Sequence, residues 1–414
     1  MFLLRLAARN VFRRRGRTLI ISSILVLAVA MFILFESLMV GMMDVSFRNV
    51  IDFEIPHIEI ARKDYFTESE KSHTLPIGKR FIPEDRLISD VQKLKGYQAM
   101  TGILEFSADF ISGRYEFPVR VRAVDPDTFN DVFMNSQYIV AGTFLDGNGP
   151  GVVIGSRLAE FFDLDVGEYF VMRFTDIGGS FNTIEGEVTG IVTTPHPDIN
   201  LTTVFVNREH AAPRIGVEDL AVTQLMVRLE DRELASSQSN ALMDTLGGNP
   251  LQARSYREGA DFLVSLEQWG YLETYFLLAL FLLVGAIGII SAVVLSAIER
   301  EKEIGMMKAM GMGESSILRL FMLEAGGIGV VGGALGCLIG AVIIFFFNTY
   351  GFDMDIFMDF SEIGVPVSGR IYGPWNFDAF LLIFVIVVIV SIIASILPAL
   401  WAARKNPIDA IEKR

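Results

Sequence analysis

The sequence predicts a membrane protein: four transmembrane α-helices, with a large mixed α/β extracytoplasmic domain between helices 1 and 2. Three observations lead there. The 414 residues are 51% hydrophobic and their mean hydropathy is +0.44, too apolar for an ordinary soluble chain. Four stretches, Thr18–Val40, Tyr275–Ile298, Ile317–Phe347 and Phe380–Trp401, are long enough to cross a bilayer, which takes about 20 apolar residues in a helix. Between the first two lies an insert, residues 41–270, of an ordinary size for one domain.

Basic residues orient the spans. Arg5, Arg9, Arg13, Arg14, Arg15 and Arg17 precede the first span with no acid among them, and Arg404, Lys405, Lys413 and Arg414 follow the last. The loop over residues 348–379 carries Asp353, Asp355, Asp359 and Glu362 against Arg370. Lys and Arg beside spans stay in the cytoplasm. This predicts a multi-pass protein of the cell inner (cytoplasmic) membrane. Residues 1–17 and the tail 402–414 then face the cytoplasm, and 41–270 and 348–379 face outward. Nucleic-acid or lipid binding by the arginines ranks below topology. The first apolar run is longer than the roughly 7–15 residues of a signal-peptide core, which argues against a cleaved leader.

The insert is acidic, with 35 Asp and Glu against 20 Lys and Arg, so it lacks the basic face that phosphate binding needs and no nucleic-acid partner is expected. The single cysteine, Cys337, falls in the third span and permits no intrachain disulfide. Alternation in His57–Ala61 and Pro118–Val124 marks half-buried strands, and Leu87, Val91 and Leu94 line one side of a helix over Pro83–Leu94. Gly151–Gly155 reads as a strand leading into a helix at Ser156–Phe162, with further strands at Tyr169–Phe174 and Gly186–Val192. Gly151–Gly155 lacks the phosphate-loop pattern. His57, His73, His196 and His210 show no metal spacing, the serines lack a nucleophile elbow, and His196 sits in a Pro-His-Pro-Asp loop expected to be solvated. No catalytic residue, metal or bound cofactor is expected, and the chain reads as a non-enzyme.

Residues 299–313 form a charged segment between two spans. Glu299, Arg300, Glu301, Lys302 and Glu303 are wet, and Ile304, Met307 and Met310 recur at helical spacing as an apolar ridge. Gly311 and Gly313 end the helix. Such a helix cannot move without moving both spans, which makes it a docking lever; an ordinary charged loop has the same composition.

In the third span Gly332, Gly336 and Gly340 repeat every four residues, with Gly329 and Gly333 one register away. Small residues at that spacing form a helix-packing seam, with the first span or a second subunit as partner. Glu324 lies inside this span and Glu36 near the outer end of the first, where carboxylates face a neighbouring helix, a cavity or the interface.

The segment from Glu299 to Ile317, continued by Phe321–Ala325 and Gly332–Gly336, resembles the coupling-helix signature of FtsX/MacB/Lol-type permeases of ABC transporters. Pro398–Ile411 resembles that family's closing motif, and Leu6–Thr18 resembles its entry into the first span. The order Gly142, Gly155, Gly167, Gly190 resembles the family's MacB-like periplasmic core domain. The resemblance implies ATPase coupling through Glu299, Arg300, Glu303, Ile304, Gly305, Met307, Lys308 and Gly311. ATP would be bound by a partner ABC ATPase subunit, since this chain shows no Walker A loop. Further implied partners are a second permease copy or paralogue and a periplasmic lipoprotein carrier or adaptor. Within the family, lipoprotein release fits best. A MacB-like peptide or antibiotic efflux permease and an FtsX-like regulator of cell-wall hydrolases are the alternatives. Thr175–Thr183 is too short and glycine-rich for a carrier-recruiting hook. A signalling anchor with a ligand-sensing outer domain is the reading from another class.

A cysteine introduced at Ser136 should react with an impermeant thiol reagent in intact spheroplasts, and one at Ser315 should not. The opposite labelling would reverse the topology.

Overall fold

The computed structural model describes residues 15–72, 75–112, 115–145, 149–217, 220–247, 249–353, 365–367 and 370–404. Arg5, Arg9, Arg13, Arg14, His73, Asp355, Asp359, Glu362, Lys405, Lys413, Arg414 and the closing stretch Pro407–Ile411 lie outside the described residues. The chain forms two compact units. One is Met1–Met43 with Leu266–Asp353 and Arg370–Arg414; the other is Asp44–Ser265 with Met354–Gly369.

Among the described residues, four helices are long and apolar enough to cross a bilayer. They are span 1 (Arg15–Phe53), span 2 (Asp261–Glu299), span 3 (Glu314–Tyr350) and span 4 (Phe377–Ala403). Spans 1 and 2 have 39 residues each, about 58 Å of helix against a hydrocarbon core of about 30 Å. The helices therefore outrun the apolar stretches read from the sequence. Past Val40 the polar Asp44, Ser46 and Arg48 end the apolar run, but Met43, Phe47, Val50 and Ile51 keep a helical period and are buried. Hydropathy ends there while amphipathic helix continues.

Glycine sets how closely these helices approach. A Cβ on Gly332, Gly336 or Gly340 would lie 2.9, 2.6 or 2.8 Å from Leu25, Val29 or Ile33 of span 1. The neighbouring row turns to span 4: a Cβ on Gly329 would meet Ser391 Oγ at 2.5 Å and one on Gly333 would meet Phe384 at 3.1 Å. Span 3 thus carries two seams on two faces, one for each neighbour, and the partner of the Gly332–Gly340 row is span 1. On span 2, a Cβ on Gly285 would come within 2.7 Å of Leu25. In lipid, where burial of apolar surface supplies no net drive, such close packing is what holds helices together.

Among its described residues the outer unit is built on ten strands: β1 (Ile58–Arg62), β2 (Tyr97–Ser112), β3 (Tyr115–Val124), β4 (Ile139–Gly142), β5 (Val152–Gly155), β6 (Tyr169–Thr175), β7 (Phe181–Val192), β8 (Thr203–Asn207), β9 (Gln224–Leu229) and β10 (Leu251–Ser255). Their order is β10-β1-β9-β2-β3-β8-β5-β7-β4, with β6 paired to both β7 and β2. The pairing β2-β3-β8-β5-β7-β6 returns to β2 and closes a ring. Its interior is filled by Phe106, Phe110, Val121, Ile154, Phe170, Met172 and Val204, as in a small barrel packed with side chains. The first half of β2 instead continues into the layer β9-β1-β10. There Ile58, Ile60, Leu225 and Val227 pack with Leu87 and Val91 of the helix Asp85–Gln92 and Leu242 of the helix Ala235–Thr245. Every strand and helix read from the sequence in this unit is present, shifted by a few residues at the ends.

Gly336→Leu should destabilise the membrane unit by about 1–3 kcal/mol, the usual range for overpacking. Gly313→Ala, whose Cβ would meet nothing within 4 Å, should be neutral. Thermal melting of the purified chain in detergent makes the comparison.

Candidate functional site

Span 2 ends at Glu299, and the chain turns at Arg300 directly into a short helix, Glu301–Ala309. Gly311 closes it with φ +91°, a left-handed conformation that glycine adopts without strain. Gly313 then stands at the start of span 3. Glu301 and Glu303 in the first turn and Lys308 in the last complement the helix dipole.

Arg300 is the buried hinge of this turn. It donates from Nη1 to Glu324 Oε1 on span 3 at 2.8 Å and from Nε to Glu303 Oε2 at 2.8 Å. The intramembrane carboxylate Glu324 thereby has its counter-charge, 24 residues away in sequence. At the other end, Lys308 Nζ donates to the Ala403 carbonyl at 2.7 Å, on the last residue of span 4. Terminal helix carbonyls have no intrahelical donor and form the negative end of the dipole, so a lysine there is favourable. The short helix is thus continuous with span 2, ion-paired to span 3 and hydrogen-bonded to the end of span 4.

The ridge read as Ile304, Met307 and Met310 is divided by the fold. Ile304 is 5% exposed, Gly305 is buried and Met307 is half-buried, so these residues belong to the unit's own packing. Met310 is 80% and Met306 54% exposed. The outward face is therefore Lys302, Glu303, Met306, Ala309 and Met310, with Glu299 and Gly311 exposed at its two ends. Ile304 lies on the packed side of the helix, which is bonded at Arg300 and Lys308. Met306 escaped the sequence reading, since four apolar residues in nine leave the phase of the helix undetermined. The Arg300–Glu324 pair carried a usable signal: a carboxylate inside an apolar span requires a partner.

In the outer unit, His196 is not solvated in its loop. It is 5% exposed, and its Nε2 lies 2.8 Å from Glu54 Oε2. Burial alone would raise the Glu54 carboxyl, but His196, Arg120 and Arg122 hold it well below the usual carboxylate range. Among the described residues, no group of three or more His, Cys, Asp and Glu is placed to hold a metal ion. Glu36 accepts from Asn376 Nδ2 at 2.6 Å within the membrane unit.

With this geometry in view, the chain's relatives are informative. Residues 275–407, which contain most of span 2, the short helix and spans 3 and 4, match the family model described as FtsX-like permease C-terminal. The lipoprotein-releasing system transmembrane protein LolC of Xylella fastidiosa strain 9a5c is 23% identical over 325 residues, covering 74% of this chain and 75% of that protein. The macrolide export ATP-binding/permease protein MacB of Escherichia coli K12 is 26% identical over 308 residues, covering 74% of this chain and 40% of that protein. The periplasmic region of MacB from Actinobacillus actinomycetemcomitans is similar over 52% of this chain and 95% of its own length, with 13% identity and a TM-score of 0.34. Residues 275–407 thus carry an FtsX-like permease domain, and the chain is similar to the LolC and MacB proteins named above.

Arg300→Met should destabilise the membrane unit by about 3–5 kcal/mol, since it takes the guanidinium from the buried Glu324 carboxylate, and Glu324→Gln should cost less, since Arg300 keeps its bond to Glu303. The double variant should recover part of that loss. Melting of all four proteins closes the cycle, and strict additivity would show that the two side chains act independently.

Proposed function

We propose that this chain is the permease subunit of an ABC transporter of the mechanotransmission type, driven by a separate ATPase subunit and acting in lipoprotein release from the cytoplasmic membrane. The observation that carries it is the mounting of the helix Glu301–Ala309. Arg300–Glu324 and Lys308–Ala403 tie that helix to spans 3 and 4, while Met306 and Met310 face outward. A partner that pushes on the methionine face moves three spans at once. Methionine suits such a contact because it is flexible and polarizable and adapts to an irregular groove. ATP belongs to the partner subunit, and a second permease copy or paralogue completes the assembly. The termini face the cytoplasm and the outer unit meets the cargo.

Lipoprotein release is favoured by the LolC relative, the match covering 75% of that protein's length. Lifting an acyl chain from the outer leaflet takes about 0.8 kcal/mol per CH₂, on the order of 10 kcal/mol per chain, a task suited to a mechanical stroke. Efflux of a peptide or antibiotic is the second reading, favoured by the MacB relative; regulation of cell-wall hydrolases in the FtsX manner is a third. Recruitment of a soluble carrier is not assigned to this chain. Its β6–β7 hairpin closes in a tight turn, where Asp176 N donates to Ser180 O at 2.9 Å.

Met310→Asp should remove most of the ATPase subunit from the purified complex while leaving the permease folded, because a charge in an apolar groove costs about 1–3 kcal/mol or more. Ile304→Asp should instead unfold the membrane unit. Depletion of the chain followed by envelope fractionation separates the cargo classes. Lipoproteins retained in the cytoplasmic membrane support release, whereas correct sorting with accumulation of a soluble peptide or drug overturns that assignment in favour of efflux.

A further inference from the structure

The last turn of span 1's helix, which belongs to the outer unit from Asp44 onward, ends on a buried ionic cluster. Arg122 of β3, 2% exposed, donates from Nη1 to the Phe53 carbonyl at 3.4 Å and from Nη2 to the Glu54 carbonyl at 3.1 Å. Its Nε donates to Glu105 Oε1 of β2 at 2.9 Å. One guanidinium therefore caps the orphan carbonyls of a helix end and holds them to the sheet through a carboxylate. Around it, Arg120 reaches Glu54 at 2.8 Å and Glu105 at 3.9 Å. His196 meets Glu54, and Tyr65 donates its hydroxyl to Glu105 Oε2 at 3.2 Å. Asp52 is held separately, by Arg228 at 2.7 Å and by the Met134 amide at 2.9 Å.

A third carboxyl, Glu59 of β1, is buried beside this cluster. Its hydrogen-bond donor is the neutral amide of Gln224 on β9. The charged groups acting on it are Glu105 of β2, Arg122 of β3 and Arg254 of β10, which sits opposite it in the strand register with its guanidinium 4.0 Å above the Phe66 ring. Glu54 and Glu105 are each served by a guanidinium contact; Glu59 is bonded to an amide and lies next to another carboxylate. It is the member of the cluster best placed to keep its proton.

We propose that Glu59 is a proton-operated lock on the joint between the helix end and the outer sheet. Protonated, it leaves Arg122 to Glu105 and to the Phe53 and Glu54 carbonyls, and the joint is closed. Ionised, it repels Glu105 and draws on Arg122, and the grip on the helix end loosens. Burial first, and then the charge of Glu105, push the Glu59 carboxyl up to about 7. A carboxyl raised in the closed state binds its proton more tightly there than when opened. Its contribution is present in full at low pH and is lost as pH rises through about 7. The lock is closed in a mildly acidic exterior and released in an alkaline one, whatever cargo the permease handles.

Hydrogen–deuterium exchange of the full chain in lipid nanodiscs tests this without an ATPase or a cargo, so failure of the transport assignment leaves the result standing. The amides to follow are Glu54 and Ile55, bonded to the Val50 carbonyl, and Met134, bonded to the Asp52 carbonyl. Corrected for intrinsic exchange, their protection should fall about tenfold between about pH 6 and about pH 8. Glu59→Gln, a neutral mimic of the protonated acid, should remove that fall. His196→Gln, which replaces the imidazole that meets Glu54, should leave it in place. A flat wild-type profile overturns the lock, and so does a fall that survives Glu59→Gln or disappears with His196→Gln. Should Glu59→Gln fail to fold, the wild-type and His196→Gln profiles decide.

Discussion

The ion pair between Arg300 and Glu324 is the interaction on which the membrane unit's behaviour depends. Two charges taken out of water are favourable only in mutual contact and with their remaining valences bonded. Arg300 meets that condition by bridging Glu324 and Glu303 at 2.8 Å each. Because Arg300 stands where span 2 turns into the short helix, the pair sets the angle of that turn. It thereby decides that Ile304 faces in and Met306 and Met310 face out. Lys308 on the Ala403 carbonyl completes the mounting. Three spans are then addressed through one surface of a nine-residue helix.

The glycine seams make that mounting mechanically useful. A helix touching its neighbours only through long side chains can slip by repacking them. One whose backbone lies where a Cβ would come within 2.9 Å of the neighbour's side chains has no such latitude. Span 3 meets span 1 along Gly332, Gly336 and Gly340 and span 4 along Gly329 and Gly333. Movement imposed at Glu324 is therefore shared. In the outer unit, Arg122 performs a comparable task on a smaller scale, tying helix carbonyls to a strand carboxylate in a dry environment.

Much of this was legible from the residues. Four apolar stretches and a single insert gave the architecture, because a bilayer permits few solutions to backbone hydrogen bonding. The strands at Ile58–Arg62 and Tyr115–Val124 followed from period-two alternation. What stayed hidden was long-range. The barrel closes only where Asp109 and Phe110 of β2 meet Arg173 and Met172 of β6, and no local pattern encodes that meeting. His196 looked solvated because Pro-His-Pro-Asp has the composition of a loop; its burial depends on Glu54, some 140 residues upstream by the sequence numbering. The phase of the Glu301–Ala309 helix was ambiguous for the same reason, being decided by partners on spans 3 and 4.

The central claim is that the helix Glu301–Ala309 and span 3 move as one body. Spin labels on Met310 and on the outward-facing Leu335, in a chain whose Cys337 has been replaced, report on it directly through their distance distribution. The account predicts one narrow distribution that is unchanged when nucleotide is added to the assembled complex, and that broadens in Glu324→Gln. A wild-type distribution that shifts with nucleotide would show that the helix swings independently of span 3 and would contradict the account.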